Sequence, residues 1–65
     1  MNANQLKIDQ VYIYADGQKE LHVMYQGMTE DKYLFIPINI TKMHYCGIPN
    51  SLCEKEVMNL VKPMA

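Results

Sequence analysis

Arginine is absent from the 65 residues, and the six lysines, at 7, 19, 32, 42, 55 and 62, are scattered along the chain. A guanidinium fork grips phosphate or guanine at two points, which an ammonium cannot reproduce. With no such fork, no basic stripe and a net charge of −1, the composition disfavours nucleic acid as a partner. Cysteine is scarce. Cys46 and Cys53 are too few for a disulfide framework, and two free thiols, at least one of them buried, are expected. No apolar run approaches the ~20 residues of a membrane span. The opening Met1-Asn2-Ala3-Asn4-Gln5 has neither a basic start nor an apolar stretch, so it does not read as a secretory signal, and a cytoplasmic location is expected. Repeats and low-complexity segments are missing too.

What remains is a short chain that is 49% hydrophobic, enough to argue against disorder. It is read as a single domain over 1–65, and a domain of this length buries only about 60% of its unfolded surface. Residues 1–7 read as a polar lead-in, 8–45 as strands and 51–62 as a C-terminal helix. The first strand is placed at Ile8 to Tyr14 and the second at Lys19 to Gln26, both alternating with period two. A three-residue loop, Ala15-Asp16-Gly17, is expected between them. It pairs Val11 with Leu21 and Ile13 with Lys19, so that odd positions share one face. Gly27 to Lys32 is a second turn. Tyr33-Leu34-Phe35-Ile36 is apolar on both faces, as a strand covered from both sides would be. Pro37 removes a ladder donor and marks a bend, a bulge or an unpaired edge position. Ile38 to Tyr45 reads as the fourth strand.

Near the end the period changes to that of a helix. Ser51 and Glu54 have the spacing of a capping box. Cys53, Val57, Leu60 and Val61, with Met64 as a further candidate, form one apolar stripe, and Pro63 stops the helix. So short a helix must dock on the sheet. The fold class that follows is α+β, mainly β: a four-stranded antiparallel meander with one C-terminal helix packed on it. Because strand three is apolar on both faces, the sheet must either curl or meet a second chain.

The stretch Leu6-Lys7-Ile8-Asp9-Gln10-Val11-Tyr12, with its hairpin into Leu21-His22-Val23-Met24-Tyr25-Gln26-Gly27, resembles the opening of small SH3-like barrels. Those begin with an apolar residue, a Gly-Asp turn and a Val, followed by a bent second strand ending in Gly. Ile8 stands here where the usual Gly precedes Asp9. The resemblance implies a curled sheet and a binding module.

Candidate sites follow from the alternation. Tyr12, Tyr14, His22 and Met24 are expected on one face of the leading hairpin, where tyrosine and methionine suit a contact surface; the competing reading is that this face is the inside of the curl. His44 and Cys46 are the candidate metal ligands, with Cys53 and His22 to complete four. Their spacing matches no usual zinc signature, so packing is the preferred role and no cofactor is expected. A Cys46 nucleophile with His44 or His22 lacks an orienting third group, and so small a meander offers little water-excluded pocket, so no enzymatic activity is expected. The reading is a non-enzymatic module that binds a protein partner, or itself as a homodimer, through the Tyr12/Tyr14/Met24 face or a free strand edge. The alternative is a single-strand nucleic-acid binder that stacks bases on the same tyrosines.

Overall fold

The computed structural model describes residues 2–64. After a 3-10 turn at Ala3–Gln5 come strands β1 (Val11–Ala15), β2 (Glu20–Thr29), β3 (Lys32–Asn39), β4 (His44–Tyr45) and β5 (Asn50–Leu52). Helix α1 (Glu54–Leu60) and strand β6 (Val61–Pro63) complete the chain. The antiparallel order is β4-β3-β2-β1-β6, and β5 also pairs with β3. The class is therefore the expected α+β, mainly β, with six strands among the described residues in place of four.

Two local causes account for the extra strands. The expected strand Ile38 to Tyr45 is broken after Asn39. Its side-chain oxygen accepts the N–H groups of Thr41 and Lys42, at 3.0 and 3.1 Å. An asparagine that bonds its own downstream backbone makes a turn. Met43 completes it with a φ of 53°, and β4 returns along β3 with Ile38 opposite Tyr45. The second cause lies at the C-terminus. The helix ends at Leu60, and Val61 adopts extended geometry (φ −106°, ψ 135°). Residues 61–63 then add a strand to the free edge of β1, with Tyr14 opposite Val61 and Tyr12 opposite Pro63. Proline is tolerated there because an edge strand has one unpaired side.

The helix starts later than its sequence signature suggests. Ser51 lies in β5, and the N-cap is Cys53, whose N–H donates to the Glu56 carboxylate at 3.0 Å. That bond holds the Glu56 carboxyl below its usual value. Pro37 sits inside β3 opposite Val23. Its carbonyl accepts the Cys46 N–H at 3.0 Å, so its ring nitrogen faces the same side of the strand, in the gap between β5 and β4. The missing donor therefore falls where no strand asks for one.

The β1–β2 hairpin differs most from expectation. Ala15 lies opposite Glu20, which leaves a four-residue loop, Asp16 to Lys19. Asp16 builds it: its side chain accepts the N–H groups of Gln18 and Lys19, both at 3.0 Å, and its N–H donates to the Lys19 carbonyl. Those two N–H bonds hold the Asp16 carboxyl below its ordinary value. The longer loop changes the parity of the pairing. Tyr12 faces Val23 and Tyr14 faces Leu21, while Val11 faces Met24 and Ile13 faces His22. Since strand side chains repeat with period two, an odd shift exchanges inside for outside.

The core accordingly gathers Tyr12, Val23, Tyr25, Phe35, Leu52, Val57, Val61 and Ala3, flanked by Leu6, Tyr14, Leu21 and Tyr33. Helix α1 contributes Val57, fully buried, and the Ala3 turn packs beside it. Of the leading residues, Ala3 and Leu6 pack against the core. Between Tyr25 and Gly27 the β2–β3 register shifts, a bulge that lets β2 bend. Gly27 holds a φ of 109°, a conformation that a side chain resists.

Candidate interaction surface

The register decides where each expected contact residue lies. Tyr12 is only 4% exposed, with its hydroxyl accepting the Lys7 N–H at 2.9 Å. Tyr14 is half-buried against the same core and reaches Asp16 with its hydroxyl at 3.3 Å. Burial first, then the neighbouring Asp16 and the charge of Glu56, raise the Tyr14 hydroxyl above its ordinary value. Tyr12 is therefore an interior residue and Tyr14 a half-buried one at the edge of the core, and the expected four-residue face is split. His22 and Met24 lie on the opposite side of the sheet from both tyrosines. The cause is the odd shift set by the Asp16 loop.

That opposite side has its own composition. Val11, Met24 and Ile36 form a continuous row across β1, β2 and β3, because Met24 is the Cα partner of both Val11 and Ile36. Ile13 and His22 form the neighbouring pair. Along β3, Leu34 and Ile38 alternate to the same side as Ile36. Ile38 is 5% exposed yet outside the main core cluster. Tyr45, its partner on β4, lies across the sheet and directs its hydroxyl at the Met24 sulfur, 3.8 Å away. At the other end Ile8 packs over Gly27, 3.7 Å from where a side chain would begin there. Exposed sheet faces normally carry polar residues. This one carries none across its central row.

Among the described residues no helix lies on this outer face: α1 and the Ala3 turn pack on the Tyr12 side. A second feature is a cavity of about 230 Å³ on the inner side, away from the helix. Leu21, Val23, Phe35 and Leu52 wall it, with Tyr14 and Lys19 at its rim. It is a gap in the packing of the inner side.

His44 and Cys46 are both exposed on the β4 hairpin and the loop after it. The His44 ring nitrogen Nδ1 lies 3.3 Å from the Tyr45 carbonyl. No three His, Cys, Asp or Glu side chains among the described residues come together as metal ligands. Cys46 and Cys53 are free thiols, the second half-buried at the helix start. Four of the five tyrosines, 12, 14, 25 and 33, lie in or against the core, with Tyr25 5.3 Å from Phe35 and 6.2 Å from Tyr33. They are spent on packing, so the shared stacking platform of the nucleic-acid reading is not presented. Among the described residues no helix is long and apolar enough to cross a membrane.

Sequence reasoning missed Val11, Ile13, Leu34 and Ile36 as surface residues. One signal pointed to them: strand three is apolar at every position from 33 to 36, which demands cover on both sides. Comparison with known proteins finds no matching family model, no curated protein and no solved structure similar to this chain.

Proposed function

We propose that this chain is a small, non-enzymatic, SH3-like interaction module that binds protein through the outer face of β1, β2 and β3. The row Val11–Met24–Ile36 carries this reading. Three adjacent strands turn apolar side chains outward at positions where a solvated sheet would place polar ones. Methionine at the centre suits an adaptable contact, since its unbranched thioether fits irregular partners. The SH3-like assignment is supported by the strand order: a meander whose last strand returns to the first after a single short helix. A long second strand, bent at a glycine bulge, supports it further. Residence in a reducing compartment such as the cytoplasm agrees with the two free thiols.

The test is contact-dependent labelling in the native cell. A photo-crosslinking side chain at position 36 is expected to give protein adducts, whereas the same group at Asn59, exposed on α1, gives none of them. Equal labelling from both positions, or no adduct from position 36, overturns the reading.

A further inference from the structure

We infer that the inner cavity binds a small apolar carboxylate, whose hydrocarbon body enters the cavity while its acid group meets Lys19 at the mouth. The site lies on the other side of the sheet from the face described above and does not depend on it. Three observations lead there. The first is depth. The buried residues Val23, Phe35 and Leu52 form the floor, so the cavity reaches the core. Leu21 completes the wall, and its partner across the hairpin, the half-buried Tyr14, stands at the rim. Among the described residues, none of those lining the cavity belongs to α1, so the helix does not close it. Water held against hydrocarbon walls is poorly ordered, and an apolar group displaces it favourably.

The second is size. The cavity holds about 230 Å³. An apolar cavity of about 150 Å³ takes up benzene, so this one has room for a ring or a branched chain with a short arm. Drug-sized ligands and cofactors begin at about 300 Å³, which excludes them here.

The third is charge and where it sits. Lys19, Asn50 and Ser51 line the cavity and are exposed, so its polar groups gather at the mouth. Among the described residues Lys19 is the one charged residue that lines it. Glu20, the next residue of β2, alternates to the outer face. Asp16 stands nearby, but its carboxylate accepts the N–H groups of Gln18 and Lys19, both at 3.0 Å, and the Tyr14 hydroxyl at 3.3 Å. Those two N–H bonds do most to lower the Asp16 carboxyl and the Lys19 ammonium does least, so the ammonium is not committed to it. A lysine stem follows apolar surface while its head stays in water, and Ser51 adds a hydroxyl donor at the mouth. Hydrocarbon walls below one cation select an amphiphile whose polar end is an anion.

Amide-shift titration of the full chain with phenylacetate, phenethyl alcohol and phenethylamine tests this, since the probes share a ring and a two-carbon arm and differ in charge. Phenylacetate should saturate with a Kd of about 1 mM, as its size allows, and move Lys19, Leu21, Val23, Phe35 and Leu52. The alcohol should bind about threefold more weakly and the amine about tenfold. Lys19→Glu, at an exposed position, should reverse the order of acid and amine. Leu21→Phe should fill the cavity and abolish saturable binding of all the probes. Should Leu21→Phe fail to fold, the wild-type titration and Lys19→Glu still decide the matter. No saturation by phenylacetate up to about 20 mM overturns the site. Equal affinity for the acid, the alcohol and the amine overturns the carboxylate assignment. Saturating shifts at Val11, Met24 and Ile36 in place of the cavity residues overturn its location.

Discussion

At the residue scale the decisive side chain is Tyr12. Its ring belongs to the core, and its hydroxyl holds the Lys7 backbone, tying the leading residues to β1. Tyr12→Phe keeps the ring and removes that acceptor, so it should cost about 1 kcal/mol in urea unfolding. Tyr12→Ala should cost about 3–5 kcal/mol. That is most of the stability a 65-residue domain can have. A lost interaction in that variant would therefore report unfolding, not a surface. Gly27 is the other sensitive residue. Ala at a φ of 109° is strained wherever its neighbours stand, and Gly27→Ala should lose about 1–3 kcal/mol by the same measurement.

The neighbours Phe35 and Ile36 make a sharper pair, because one bond separates inside from outside. Phe35 is 1% exposed, while Ile36 is half-buried on the outer row. Phe35→Ala should cost about 3–5 kcal/mol and Ile36→Ala about 1 kcal/mol or less in the monomer. Comparable losses at the two positions would mean that β3 does not present the faces described.

At the scale of elements, two carboxylates punctuate the chain: Asp16 closes the β1–β2 loop and Glu56 bonds back to the helix start. Both folded-state values are lowered. Their contribution is therefore complete above the unfolded values of 3.8 for Asp16 and 4.5 for Glu56, and is lost as pH falls through the lower folded values. Thermal midpoints should be flat in this respect above about pH 5 and fall below about pH 4. Asp16→Asn and Glu56→Gln should each make that acid limb shallower. An unchanged acid limb in both variants would remove these groups from the account.

The same two elements show how far local sequence reaches. A turn around Asp16-Gly17 and a helix start near 51–54 were legible, because aspartate, glycine and acidic first-turn residues have short-range preferences. Their exact extents were not. Serine outranks cysteine as a cap, and Ser51 with Glu54 has the same spacing as Cys53 with Glu56. The competing claim of β3 on residues 50–52 moved the helix start by two positions. Likewise Asn39 was read as part of a strand, although its side chain turns the chain on itself. Val61 carried the helical stripe, and its β-branched side chain suits a strand equally well. The free edge of β1 decided between the two.

For the whole molecule, the sheet has a covered side and an apolar side. The helix, the Ala3 turn and the inner tyrosines lie on one face, and among the described residues no helix lies on the other. The charged variant Ile36→Lys should therefore raise the protein concentration at which light scattering appears, without lowering the urea midpoint by more than about 1 kcal/mol equivalent. A large stability loss with unchanged scattering would place Ile36 inside.

By itself the sequence determined the class of fold: alternating strands, two turns near those found at 16–19 and 30–31, and a late helix docked by Val57. Those follow from periodicity and from preferences that act over a few neighbouring residues. It also contained the surplus of apolar residues in strand three that asks for a second layer. Only the tertiary structure decided which alternate residues look inward, and that residues 61–63 leave the helix to pair with β1. The physical reason is parity. Loop length sets which residues of two distant strands meet, and a change by an odd number exchanges the two faces of the hairpin.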